Sequence, residues 1–359
     1  MKLAERAFLA ERATIKSGFN GGYQKRANMK PFNFSYVRRT MALGILALAT
    51  GSFAHAQSHY ALIKTIDLPG KGGHGDWVTF DEPTNTVWIG QAPAHNVVVL
   101  DAEKLAVKAT IPGVKEATGI DLDDAYAYVS DAKSNTMVVI DKRTFEKVAT
   151  VDSGGESPDG ISVDRRTGKI LLANDDSNNE VMFDGKPPFT KISAIELKPR
   201  PAKHGPDVGL YVRELDRLYQ PVDNMIDVID PNTNQIESVW DLGVKTDAKP
   251  MAYDSKTKRL VIGTRDKKML IVDPAMGKVI ATIPFEGGDI DETAIDVGAR
   301  RAFMGDKSGN VEVVDLDANT VIDHLMTEKG VHTLTVDPKT HRIFVYLNVS
   351  NKVAVFEPT

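Results

Sequence analysis

Two short segments of this 359-residue chain share a pattern, His74-Gly75-Asp76 and His204-Gly205-Pro206-Asp207, each setting an imidazole just ahead of a carboxylate. Asp159, Asp291 and His332 occupy matching places in an internal repeat. Carboxylates that converge raise one another's pKa until a cation neutralises them, so such a cluster suits a divalent metal or a positively charged ligand. His74, Asp76, His204, Asp207 and His332 are the candidate metal ligands, and Trp77, next to Asp76, could stack on a bound molecule or pack into the core. A competing reading needs no ligand: Asp and His in loops cap turns and bond backbone amides. Other chemistries find no support. The chain has no cysteine and lacks H-E-x-x-H, G-x-S-x-G and C-x-x-C-H, the signatures of zinc peptidases, esterases and covalent haem. The glycines of Gly70-Lys71-Gly72-Gly73-His74-Gly75 lead into a strand, so the helix end that a phosphate loop requires is missing.

The elements that position these residues come from a repeat. Val78-Thr79-Phe80-Asp81, Ile120-Asp121-Leu122-Asp123, Ile161-Ser162-Val163-Asp164, Met251-Ala252-Tyr253-Asp254, Thr293-Ala294-Ile295-Asp296 and Leu334-Thr335-Val336-Asp337 are copies of one strand, and Gly209-Leu210-Tyr211-Val212 is a seventh without the Asp. The anchors at 81, 123, 164, 212, 254, 296 and 337 are spaced by 42, 41, 48, 42, 42 and 41 residues. Each is followed by a polar turn and a second apolar run. A third run follows, such as Met269-Leu270-Ile271-Val272-Asp273, then a fourth, such as Val279-Ile280-Ala281-Thr282-Ile283. Four antiparallel strands in about 42 residues make one β-propeller blade. Asn96, Asn135, Asn179, Asn224, Gly309 and Asn351 stand where two-residue hairpins would demand positive φ. The recurrent Asp101, Asp141, Asp230, Asp273 and Asp315 start turns and are structural. The last unit stops after three strands, and Tyr60-Ala61-Leu62-Ile63-Lys64-Thr65-Ile66 supplies the fourth. The expected fold is an all-β, seven-bladed β-propeller whose ring is closed by the N-terminal strand, which also removes a free sheet edge.

In such a ring the residues just before each innermost strand crowd the mouth of a central channel. Five positions before the anchors stand Asp76, Thr118, Asp159, Asp207, Lys249, Asp291 and His332, with His74, Glu116, Glu156, His204 and Glu292 close by. The expected ligand-binding set at the mouth is therefore His74, Asp76, Trp77, Asp159, His204, Asp207, Asp291 and His332.

The segment Val138-Val139-Ile140-Asp141-Lys142-Arg143-Thr144-Phe145-Glu146-Lys147-Val148-Ala149-Thr150 resembles the YVTN-repeat propellers. Residues 60–359 as a whole are similar to the exported, single-domain YncE-type members of that family. Blade three departs from the pattern, with Asp184-Gly185-Lys186-Pro187-Pro188-Phe189 at the usual turn and Lys198-Pro199-Arg200-Pro201 lengthening the passage to blade four. The resemblance implies a binding or scaffolding role, because such propellers share no catalytic residue set.

Residues 1–56 read as a signal peptide: Arg38-Arg39, an apolar stretch from Met41 to Phe53, and Ala54-His55-Ala56 before the cleavage point. Met29-Lys30 marks an alternative start, and general secretion is the expected route. The stretch is too short to span a bilayer. This predicts a periplasmic protein consisting of one domain, residues 57–359. The leader holds 9 of 44 Lys and Arg and 2 of 49 Asp and Glu, leaving 35 against 47, a net charge of −12. Nucleic acid and anionic membrane surfaces are disfavoured partners for so acidic a chain. The expectation is a monomeric, non-enzymatic propeller whose channel mouth or face binds a small-molecule ligand, a metal or a periplasmic protein. The alternative is a metal-dependent enzyme of the lactonase or lyase kind, with His74, His204 or His332 as general base.

Overall fold

The structure, a computed structural model, describes residues 58–359, so the expected leader lies outside the described residues. Among the described residues the strands form seven four-stranded antiparallel sheets, and the one helical element is a single 3-10 turn, Ala132–Ser134. No helix among them is long and apolar enough to cross a membrane. Each sheet is a blade of the seven-bladed β-propeller.

Blade five shows why the sequence pattern gives this layering. Its second and third strands, Arg259–Thr264 and Lys268–Asp273, are buried along almost their whole length, whereas the outer strand Lys278–Pro284 alternates exposed with half-buried positions. Strands covered on both faces by neighbouring blades read as continuous apolar runs, and a strand covered on one face alternates. The core accordingly lies between blades: Tyr219, Ile226 and Val228 of blade four pack with Met251, Leu260 and Ile262 of blade five.

Ring closure follows the sequence reading. Tyr60–Asp67 pairs antiparallel with Lys352–Pro358, placing Tyr60 opposite Pro358 and Ile66 opposite Val353, and completes the seventh sheet. The longer passage after blade three leaves blade four with an inner strand of three residues, Leu210–Val212.

The anchor aspartates are structural. Asp254 accepts bonds from the Lys256 amide (3.1 Å) and the Thr257 hydroxyl (2.5 Å), and Arg300 of the next blade clamps both its oxygens at 2.8 Å. Asp101, Asp141 and Asp315 each accept two amides of the turn that follows, at 2.8 to 3.1 Å. Their recurrence thus reflects turn formation and no shared chemistry.

The turns joining the second and third strands correct one expectation. Asn135, Gly309 and Asn351 have positive φ, but in blades one, three and four the left-handed residues are His95, Asn178 and Asp223 instead of Asn96, Asn179 and Asn224. The connections in blades one and three contain four residues, with Gln91 opposite Asn96 and Asn174 opposite Asn179. The left-handed residue closes the loop, and the Asn after it already belongs to the strand. In blade four the loop does have two residues, between Val222 and Met225, and its first one, Asp223, takes the positive φ.

Candidate functional site

The chain enters every inner strand from the same face, so one residue per blade is delivered to a common level. Asp76, Thr118, Asp159, Asp207, Lys249, Asp291 and His332 all line one cavity of about 490 Å³ at the channel mouth. The turns between second and third strands arch over it and add Asp175 and Asp176 from blade three, Arg265 from blade five and Lys307 from blade six.

One side of the mouth is neutralised internally. The Lys249 ammonium is 2.6 Å from Asp291 Oδ1 and also contacts Asp207 Oδ2, while Lys307 Nζ is 2.7 Å from Asp291 Oδ2. Burial works against charge on Lys249, but the two carboxylates outweigh it and hold the ammonium charged. Burial likewise opposes ionisation of Asp291, and Lys249 and Lys307 overcome it, so that its pKa is depressed. A lysine fixed in this way is no nucleophile.

His332 Nδ1 lies 2.7 Å from the Gly330 carbonyl, which can only accept, so Nδ1 carries a proton and Nε2 points to Asp76 Oδ1 at 3.6 Å. His74 Nδ1 is 3.1 Å from the same oxygen. Burial lowers the His332 pKa, but Asp76 and Asp291 outweigh it and raise it; the bond to Asp76 raises His74.

The other side carries carboxylates that form no ion pair. Glu116, Glu156, Asp159, Asp175 and Asp176 line the cavity, and among the described residues none of their carboxylates has a hydrogen-bond donor or cation partner. Burial, followed by the charges of Asp207 and Asp76, pushes Asp159 well above the usual carboxylate range. Burial, then Asp176 and Asp207, pushes Asp175 to about 6.

The five candidate metal ligands do not come together. His74, Asp76 and His332 form one group, with ligand atoms within 4.8 Å of one another. Asp207 is held by Lys249. His204 belongs to a second group, with Asp223 and Asp247, whose ligand atoms lie within 4.8 Å of one another; its Nδ1 is 2.8 Å from Asp247 Oδ1, and Arg265 Nε is 3.1 Å from Asp247 Oδ2. The cause lies in the two glycines. Gly205 has φ +74° and reverses the chain after His204, whereas Gly75 lies outside the left-handed region and packs edge-on to Tyr346. The similar letters build different turns.

Gly205 also presses on the unpaired side of the mouth, since a Cβ there would sit 1.8 Å from Asp175 Oδ1 and 2.6 Å from the Asp175 carbonyl. Gly205→Ala is therefore expected to displace the Asp175 carboxylate and to cost about 1–2 kcal/mol, the penalty of a left-handed alanine included. Chemical denaturation with a crystal structure of the variant checks both effects; an unmoved Asp175 would contradict the close approach.

Trp77 stands between the cavity and the core. It lines the cavity and packs against the cluster of Trp88, Val97 and Ile120, with its Nε1 buried and without an acceptor. Sequence reasoning missed Asp175, Asp176, Arg265 and Lys307 because it followed only the approach to the inner strands. The paired acids of Asn174-Asp175-Asp176 after a second strand were the available signal.

No protein-family model and no curated protein sequence matches the chain. Among solved structures, a chain of hydrazine synthase from Kuenenia stuttgartiensis is similar at 16% identity, covering 82% of this chain and 97% of that one with a TM-score of 0.72. The likeness is one of fold alone. Such propellers host unrelated activities, so the function must be argued from the site.

Proposed function

We propose that this protein is an exported propeller of the YVTN-repeat type that binds a small positively charged ligand in its channel mouth, without catalysing a reaction. The observation that supports this reading is the group of five carboxylates, Glu116, Glu156, Asp159, Asp175 and Asp176, that face one cavity without an ion pair, while Lys249, Arg265 and Lys307 in the same cavity are bound to other carboxylates. Gathering like charges raises their free energy, and a bound cation recovers it. The Lys249 network on the far side fixes the wall against which the ligand sits and has no free group for covalent chemistry.

Isothermal titration with methylammonium at pH 7.5 and low salt tests the reading. Saturable binding at one site is expected, with the double variant Asp159→Asn/Asp175→Asn weakening it at least 10-fold. Affinity is also expected to fall as pH drops through about 6, where Asp175 takes up a proton. Binding that survives the double variant unchanged would place the cation elsewhere.

A metal-dependent enzyme is the second reading, favoured by one observation. His332 donates Nδ1–H to the Gly330 carbonyl, leaving Nε2 facing Asp76 and His74, and a backbone acceptor of this kind is how a protein orients a ligating imidazole. A divalent ion there would polarise a substrate carbonyl. Stoichiometric metal that is lost in His332→Ala, together with lactone hydrolysis, would favour this reading over the first.

A further inference from the structure

We infer that the ligand is a zwitterion, an amino acid whose carboxylate is held by one divalent transition-metal ion on His74, Asp76 and His332. This rests on the reading of the mouth as a cation seat and adds the ligand's opposite charge.

His74 and Asp76 precede the inner strand of blade one and His332 that of blade seven, and their ligand atoms lie within 4.8 Å of one another. Asp76 and His332 line the cavity. The setting of His332 calls for a cation. Its side chain is 6% exposed, and its Nδ1–H is bonded to the Gly330 carbonyl, so in the neutral ring the Nε2 lone pair is directed at another acceptor, Asp76 Oδ1, 3.6 Å away. A protonated ring would close on the carboxylate to about 2.8 Å, the length of a charge-assisted hydrogen bond.

The spacing fits a metal ion instead. With bonds of about 2.1 Å, two donors on a tetrahedral zinc stand about 3.4 Å apart, and Asp76 Oδ1 is 3.1 Å from His74 Nδ1 and 3.6 Å from His332 Nε2. Two imidazoles and one carboxylate suit zinc and its neighbours, whereas calcium and magnesium take oxygen donors in greater number. The backbone that carries two of the ligands is wedged in place: a Cβ on Gly75 would lie 2.3 Å from the Tyr346 ring of blade seven and 2.9 Å from the Gly90 carbonyl of blade one.

Three protein ligands leave a coordination position for an exogenous donor. One carboxylate does not neutralise a divalent ion, so a purely cationic ligand in the same cavity would be repelled by it. A ligand carboxylate fills the position and offsets the charge. The cavity wall offers that carboxylate no other free cation, since Lys249, Lys307 and Arg265 are each bound to an aspartate. The ligand's ammonium is left for the side that carries Glu116, Glu156, Asp159, Asp175 and Asp176.

Calorimetric titration of zinc into the chelator-treated full propeller at pH 7.5 is expected to show one ion per chain, bound about 100-fold more weakly in His332→Ala and in His74→Ala. The His74 side chain is 63% exposed, so the second variant keeps the fold. β-Alanine, γ-aminobutyrate, 5-aminovalerate, acetate and methylammonium are then titrated into the metal-free and zinc-loaded protein. At least one of the three amino acids is expected to bind about 10-fold more tightly with zinc, and methylammonium to bind more weakly with zinc than without. No zinc binding, or zinc binding unchanged in both variants, would overturn the metal seat. Zinc that binds but improves no amino acid, or acetate that binds the zinc form as tightly as the amino acids, would overturn the zwitterion. Methylammonium binding to the metal-free protein reports on the cation seat separately: if it persists in either case that reading stands, and if it is absent that reading fails by itself.

Discussion

Lys249→Met is expected to lower the stability of the propeller by about 3–5 kcal/mol at pH 7, the usual cost of leaving buried charges without their partner. The side chain of Lys249 is 9% exposed and lies between Asp207 of blade four and Asp291 of blade six, so one ammonium joins three consecutive blades. Methionine fills a similar volume but abandons two carboxylates, of which only Asp291 keeps a second cation, Lys307. Urea denaturation measures the loss, and adding Asp207→Asn should restore part of it by removing one stranded charge.

The pH dependence has a definite sign. Asp291 is depressed in the folded state, so its contribution is present above the unfolded carboxylate value of about 4 and is lost as pH falls below it. The gap between wild type and variant should therefore narrow in acid. A drop of less than 1 kcal/mol at neutral pH would show that the network contributes little.

Asp227→Asn should act in the opposite direction and stabilise the protein by about 4 kcal/mol at pH 8. Asp227, in the third strand of blade four, is fully buried; its Oδ2 accepts the Lys198 amide at 2.7 Å and its Oδ1 has no donor. Glu180, in the third strand of blade three, is 1% exposed, and its Oε2 also lacks a donor. Burial pushes Asp227 to about 7 and, with the Asp227 charge added, pushes Glu180 well above its ordinary value.

A carboxyl whose folded pKa is raised binds more protons folded than unfolded, so stability falls as pH climbs from about 4 to about 7 and stays low above that. Asparagine keeps the acceptor for the Lys198 amide, cannot ionise, and no longer adds a charge opposing the ionisation of Glu180. Denaturation at pH 4 and pH 8 checks this: the two proteins should match at the first and differ at the second. A uniform change at both would mean packing, not ionisation, decides the outcome.

The anchors and the strand that closes the ring were readable because alternation and a period near 42 residues are local properties repeated seven times. The same register explains why all seven positions five residues before the anchors, from Asp76 to His332, reach one cavity. Which of them pair was not readable, since Asp207, Lys249 and Asp291 are each 42 residues from the next and only the ring brings them into contact. The direction of His204 depended on the backbone angle of Gly205, which letters do not carry. Asp227 did leave a trace as a lone acid inside the apolar run Ile226-Asp227-Val228-Ile229, where burial makes any charge expensive.

At the ring's seam the Thr359 amide donates to the His59 carbonyl at 3.1 Å, and the Thr359 hydroxyl donates to the Ser58 carbonyl at 2.9 Å. The polypeptide of the propeller is thus nearly a closed loop, with its two ends a hydrogen bond apart. Joining them by a short peptide and reopening the backbone at an exposed turn such as Lys256-Thr257 would preserve every blade. For this architecture the position of the seam is a matter of chain connectivity alone: any of the seven blades could hold it.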